Sequence, residues 1–106
     1  MRLYLYPHRL CLREPFTVSH GTRTHQETLI VELRDGATVG LGEAPAIFYY
    51  GVTVADMQRR LTDLRAEIEA AALLPPDAFA ARLRPHLHEL PFALAALDTA
   101  RHDLEA

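Results

Sequence analysis

Residues 28 to 44 read Thr28-Leu-Ile-Val-Glu-Leu-Arg-Asp-Gly-Ala-Thr-Val-Gly-Leu-Gly-Glu-Ala44, and this stretch decides the fold class. Leu29, Val31 and Leu33 alternate with Ile30, Glu32 and Arg34, so one face of an extended chain is wholly apolar. Asp35-Gly36 follows, a hairpin signal because glycine accepts positive φ. The chain then returns as a partner strand over residues 38–44, with Val39 and Leu41 on one face and Gly40 and Gly42 on the other. Glycines at alternate strand positions leave room for a second backbone to come close.

Upstream, residues 2–12 carry Leu3, Leu5, Leu10 and Leu12 around Pro7-His8. Proline cannot donate to a ladder, so this stretch reads as a bent or bulged strand. Between the strands lies Pro15 to Gln26, which reads as a long connecting loop, and such loops are often functional. Downstream, the hydrophobic period changes from 2 to 3.6 at Thr53. Thr53 is placed to cap a helix over about residues 54–72, whose stripe is Met57, Leu61, Leu64 and Ile68. Pro75-Pro76 ends it, Asp77 caps a short helix over 77–84 that Pro85 stops, and Pro91 opens a last helix over 92–105. The expectation is an α+β domain spanning residues 1–106. It has a three-stranded antiparallel meander, about 1–12, 27–34 and 38–44, followed by a helical layer.

The last helix is apolar on every side from Phe92 to Leu97, and such a helix wants cover all round. The chain stops inside it without a glycine cap. The reading is a fragment whose continuation buries the outer side of residues 92–105, and which self-associates there when alone.

Composition removes several functions. The net charge is −3, with no basic cluster to mark nucleic acid or an anionic membrane as a partner. No apolar run approaches the length of about 18 residues that a membrane-spanning helix needs. Cys11 is the only cysteine, so no internal disulfide exists, and it reads as a small core residue. The start has no signal-peptide core, and these features favour a reducing cytoplasm. All 11 basic residues are arginine, which excludes a lysine base or Schiff base on this chain. The six histidines lack zinc spacing, so no metal site is expected. His8, His25 and His102 read as surface or half-buried residues. Glu43 reads as a buried carboxylate bonded to loop amides. Asp98 and Asp103 lie on different helix faces and are not a catalytic pair. No catalytic residue is expected.

Two segments carry candidate binding residues. In the first, Phe16 offers an apolar wall, Ser19 and His20 offer hydrogen bonds, and Arg23 offers a planar fork suited to a carboxylate. A solvated surface arginine is the other reading. In the second, Ala44 to Thr53, the aromatics Phe48, Tyr49 and Tyr50 precede Gly51 and either wall a ligand or pack on the sheet.

These pieces resemble the amino-terminal capping domain of the muconate lactonizing enzyme and mandelate racemase branch of the enolase superfamily. The matching residues are Pro15-Phe16, the strand Glu27 to Leu33, Asp35-Gly36, Gly40-Leu-Gly-Glu-Ala44, and Phe92-Ala-Leu-Ala-Ala-Leu-Asp-Thr-Ala-Arg-His-Asp-Leu104. Within that branch, Pro15 to Thr24 and Tyr50-Gly51 are similar to the two lid loops of dipeptide epimerases. The resemblance implies that Arg23 helps bind a carboxylate of the dipeptide, while Phe16 and the segment with Tyr50 close over it. It implies a (β/α)-barrel, absent here, into which the last helix (about 92–106) leads. That barrel would hold Mg²⁺ and paired lysine bases. This chain would then supply specificity and water exclusion within a homo-oligomer, without a catalytic or metal-ligating residue of its own. Two rivals stand beside it. One is the capping domain of a muconate cycloisomerase or o-succinylbenzoate synthase, against which Arg23 and Tyr50-Gly51 weigh. The other is a non-enzymatic adaptor that binds through its last helix.

Overall fold

The computed structural model describes the backbone of residues 1–18, 21–46 and 53–105, and the side chains of 1–8, 27–46 and 53–105. The elements are β1 (Arg2–Val18), β2 (Gly21–Asp35), β3 (Thr38–Pro45), α1 (Val54–Asp63), α2 (Arg65–Ala71), α3 (Pro76–Leu87) and α4 (Pro91–Glu105). The strands form one sheet in the order β1-β2-β3, and both pairings are antiparallel. The α+β meander read from the sequence is therefore the observed fold. Leu29, Val31 and Leu33 are fully buried with Leu3, and the helices bring Met57, Leu61, Ile68, Phe79, Leu83 and Leu97 onto them. Each such side chain contributes roughly 1.5–3 kcal/mol on burial.

The turn after β2 is Gly36-Ala37, because Asp35 pairs with Thr38. Gly36 has φ 60° and no other described residue has positive φ, which is the type II′ pattern. The hairpin tip thus sits one residue later than the Asp35-Gly36 signal placed it.

Gly40 and Gly42 do what alternate glycines allow. A Cβ on Gly42 would stand 1.9 Å from the Ala96 carbonyl oxygen, and one on Gly40 would stand 2.1 Å from that of Ala100. The backbone of α4 therefore lies directly on β3 and runs antiparallel to it. Ala93, Ala96 and Ala100 are buried in that contact. This corrects the expected exposure of α4. Leu97 is fully buried, Phe92, Leu94 and Leu104 pack partly buried against the core, and α3 covers another flank. The residues α4 exposes are Pro91, Ala95, Thr99, His102, Asp103 and Glu105. The cover that the apolar sequence demanded comes from within the chain, because the glycines let the helix sink onto the sheet.

Four more expectations are corrected. β1 is regular at Pro7, which pairs with Leu29; the register shifts instead between Cys11 and Phe16. There four residues of β1 (12–15) oppose one of β2 (24), so the bulge falls where Pro15 could not have donated. The supposed loop from Pro15 to Gln26 is mostly strand, since β1 and β2 continue to Val18 and from Gly21. The helix expected over 54–72 kinks at Leu64 (φ −96°, ψ 8°). Its hydrogen bonds run on through the kink, from Leu64 N–H to Arg60 and from Ile68 N–H to Leu64. Finally, α3 passes Pro85 and ends at Leu87, whose full burial holds that last half-turn. Thr53 caps α1 as expected, its Oγ accepting from Asp56 N–H at 3.0 Å.

Both sheet edges are closed by side chains. On β1, Leu3 N–H donates to Glu69 Oε2 at 2.8 Å, and Arg65 donates to the Leu3 carbonyl. On β3, Leu41 N–H donates to Asp103 Oδ2 at 2.9 Å. Pro7 and Pro45 lie in the same two-residue phase as Leu3 and Leu41, so where the amide would point outward there is no donor. No helix among the described residues is long and apolar enough to cross a membrane.

Gly42→Ala must push α4 off the sheet, and we expect it to destabilise by about 3 kcal/mol or more. Gly36→Ala, where a Cβ meets nothing within 4 Å, serves as the comparison and should lose only about 1 kcal/mol for its positive φ. In thermal unfolding the first should lower Tm by at least about 12 °C and the second by about 4–8 °C. Equal losses would show that β3 and α4 do not depend on backbone contact.

Candidate functional site

An antiparallel meander sends its first turn and the exit of its third strand to the same end of the sheet. The β1–β2 tip and the segment that leaves β3 therefore share one end. The three-stranded part stops at the Thr28–Pro45 pair, whereas β1 and β2 stay paired as far as Val18 and Gly21. At about 3.3 Å per residue, this two-stranded ribbon projects roughly 20 Å beyond the sheet. Phe16 and Arg23 lie on the ribbon as direct Cα partners, just past the bulge. The structure thus brings together two of the three sequence-predicted binding residues at the level of the backbone. Tyr50, with Phe48, Tyr49 and Gly51, lies outside the described residues, as do Ser19 and His20.

At the root of the ribbon is a cavity of about 230 Å³ lined by Pro7, His8, Glu27 and Val54. It sits where β1, β2 and the start of α1 meet. It is smaller than the roughly 300–1,000 Å³ of a typical ligand pocket, so it does not enclose a ligand by itself. Thr28 lies buried beside it and donates from Oγ to the Ala44 carbonyl at 3.2 Å, fixing the end of β3.

Several described charged side chains hold the fold. Arg101 is the most demanding: its side chain is only 6% exposed. Nε and Nη2 donate to the Leu74 carbonyl at 3.1 and 2.9 Å, and Nη1 donates to Glu105 at 2.7 Å. A planar fork is what this geometry needs, since it grips a carbonyl and a carboxylate together. Sequence reading missed Arg101, although its position four residues after the buried Leu97 placed it on the inward stripe. Asp98 pairs with His102 at 3.5 Å while Asp103 bonds Leu41, so the two carboxylates act apart, as their spacing suggested. His8 and His102 are exposed. Glu43 is also exposed, which corrects its reading as a buried carboxylate; it lies on the outward phase of β3 with Val39 and Leu41. The side chains of Cys11 and His25 lie outside the described set.

No family model matches the chain. An L-Ala-D/L-amino acid epimerase from Flavobacterium johnsoniae is 41% identical over 106 residues, which is 100% of this chain and 32% of that protein. The chain spans about a third of the length of the curated relatives it matches. Among solved structures, a dipeptide epimerase from Methylococcus capsulatus, complexed with Mg and the dipeptide L-Arg-D-Lys, is 26% identical with a TM-score of 0.79, covering 100% of this chain and 32% of that one. N-succinyl Arg/Lys racemase from Bacillus cereus is 27% identical with a TM-score of 0.80, covering 99% of this chain and 30% of that one. The meander and helices match the amino-terminal capping domain of enolase-superfamily proteins. Among them, the similarity is to proteins named L-Ala-D/L-amino acid epimerase.

Arg101→Ala removes three hydrogen bonds and leaves the Leu74 carbonyl unpaired, which should destabilise by about 2–4 kcal/mol. Arg101→Lys keeps the charge without the fork and should recover less than half of that. Chemical unfolding monitored by circular dichroism measures both. A loss below about 1 kcal/mol for the alanine variant would show that α4 is held without this tether.

Proposed function

We propose that this chain is the capping domain of a Mg²⁺-dependent dipeptide epimerase, and that its β1–β2 tip and the segment after β3 close as a lid over a dipeptide. The observation that carries this reading is the placement of Phe16 directly opposite Arg23 on a ribbon beside the exit of β3. Directly opposed residues of an antiparallel pair share a face, so a cation and an apolar wall would meet the same ligand. The 41% identity to an L-Ala-D/L-amino acid epimerase over the whole chain supports the substrate class. In this reading Arg23 holds a carboxylate of the dipeptide, Phe16 flanks it, and Tyr50 closes from the second segment. Closure excludes water and fixes the α-carbon relative to the reacting groups.

The chemistry itself falls to a barrel that α4 (about 92–106) would lead into, formed by the further length of the relatives. Mg²⁺ held there would supply Lewis-acid stabilisation of negative charge on a substrate carboxylate. The ion does not fit this chain's described residues. No group of three or more His, Cys, Asp or Glu among them is placed to hold a metal. Glu69 and Asp103 are committed to backbone amides. The enzyme would work in the cytoplasm as a homo-oligomer. A second reading, racemisation of an N-acylated amino acid, is favoured by the likeness to N-succinyl Arg/Lys racemase. In it the lid would grip the acyl carboxylate.

In the full-length enzyme, Arg23→Ala should lower kcat/KM for acidic dipeptides. A charge-assisted hydrogen bond is worth roughly 1.5–3 kcal/mol, or about one to two decades. Neutral dipeptides should change much less. If both substrates suffer equally, or neither does, Arg23 is not the carboxylate anchor. Greater kcat/KM for an N-succinyl amino acid than for any dipeptide would select the second reading. The 106-residue chain by itself should catalyse no α-proton exchange of an Ala-Glu dipeptide in D₂O, since it carries no lysine. Deuterium incorporation above the buffer rate, read by NMR, would contradict this division of labour.

A further inference from the structure

We propose that the outer face of the sheet, turned away from the helices, is the surface on which two copies of this chain associate, packed face to face with their strands reversed. Five large hydrophobic side chains are exposed among the described residues: Tyr4, Tyr6, Val39, Leu41 and Leu73. All but Leu73 lie on this face. The strand register orders them in rows, Arg2–Arg34–Val39, then Tyr4–Glu32–Leu41, then Tyr6–Ile30–Glu43. One end is basic, the other is acidic, and the middle row sets Tyr4 and Leu41 on either side of the buried Glu32.

That polarity selects the occupant and its orientation. A second copy laid on with strands parallel sets Arg2 and Arg34 against their own equivalents. Reversing the strands brings the basic end of each copy over Glu43 of the other, twice by symmetry. Arg34 is half exposed on this face, with its guanidinium 5.2 Å from the Tyr4 ring centroid. Glu32 beneath it is buried although it points away from the core. Its Oε2 lies 2.9 Å from Arg34 but makes no well-directed hydrogen bond. The close approach is an ion pair that leaves the oxygen with unused accepting capacity, and cover by a partner surface would strengthen it by excluding water. The other candidate for self-association, α4, exposes proline, alanine and polar residues, while its Phe92, Leu94 and Leu104 are partly covered by the core.

Size sets the expected strength. Eight residues of β3 and three strands about 4.8 Å apart present roughly 27 by 14 Å, or about 400 Å² in projection. Side-chain relief raises the contact area toward, but not beyond, the roughly 800 Å² per partner of a standard interface. The dimer should accordingly be weak, with Kd on the order of 10–100 μM.

Sedimentation equilibrium of the 106-residue chain from about 5 to 500 μM tests this. Wild type should dimerise in the stated range. Leu41→Glu, which sets a second carboxylate opposite Glu32 and should lower stability by about 1 kcal/mol without unfolding the chain, should weaken association by more than about 30-fold. Arg2→Glu and Glu43→Arg should each weaken it about five- to tenfold, and the double variant should return to within about threefold of wild type. A chain that stays monomeric at every concentration overturns the proposal and leaves the face to the further length of a longer protein. So does a dimer indifferent to Leu41→Glu. Failure of the charge exchange to restore binding overturns the reversed-strand arrangement.

Discussion

The contact on which this structure depends is that of two backbones, β3 against α4, with nothing but glycine between them. A helix and a sheet normally stand about 10 Å apart because side chains from both fill the gap. Here the Ala96 and Ala100 carbonyls occupy the space where Cβ atoms would be. The closeness brings the last turn of α4 within reach of the sheet edge, so that Asp103 can take the Leu41 amide. It also explains why α4 is built from alanine on its inner side, since any larger residue at Ala96 or Ala100 would reopen the gap. Much of the apolar character of α4 thus reflects how deeply it is set.

The same economy governs the sheet's edges. A three-stranded sheet has two of them, and each is a template for adding another chain. β1 is closed by the paired Arg65 and Glu69 of α2, and β3 is closed by Asp103 of α4. With the edges closed and the inner face covered, the outer face is the broad apolar surface that remains. Closure also leaves the projecting ribbon as the one part of the sheet that gains nothing from β3.

Much of this could be read from residue patterns, and the reasons differ by element. The alternation over residues 28–34 is a direct imprint of one buried face, and Leu29, Val31 and Leu33 are indeed fully buried. The glycine pair at Gly40 and Gly42 signalled a close backbone correctly, because no other physical need places glycine at alternate strand positions. Prolines misled in two directions. Pro7 looked like a break but sits at an edge, where a missing donor is harmless; Pro85 looked like a stop but is followed by Leu87, whose burial outweighs the lost hydrogen bond. The ribbon was read as a loop because its polar residues lack the period of a half-buried strand, and a two-stranded ribbon has little core face to imprint one. Glu43 was placed inside because it follows Gly42. The phase of β3 puts it outside, and phase outranks neighbourhood. Of the candidate site, the pairing of Phe16 with Arg23 follows only once the bulge is known, and the length of a bulge is not written in residue type.

The side chains that close the edges come from far along the chain. Leu3 waits for Arg65 and Glu69, 62 and 66 residues later, and Leu41 waits for Asp103, 62 residues later. The meander is local and can form as soon as it leaves the ribosome, whereas its closure cannot. At about 5–20 residues per second, the β1 edge of the newly made sheet stays open for roughly 1–5 s and the β3 edge, closed from α4, for roughly 3–12 s. During synthesis, therefore, the chain passes through an interval in which another nascent copy or a chaperone meets the very groups that the finished domain conceals.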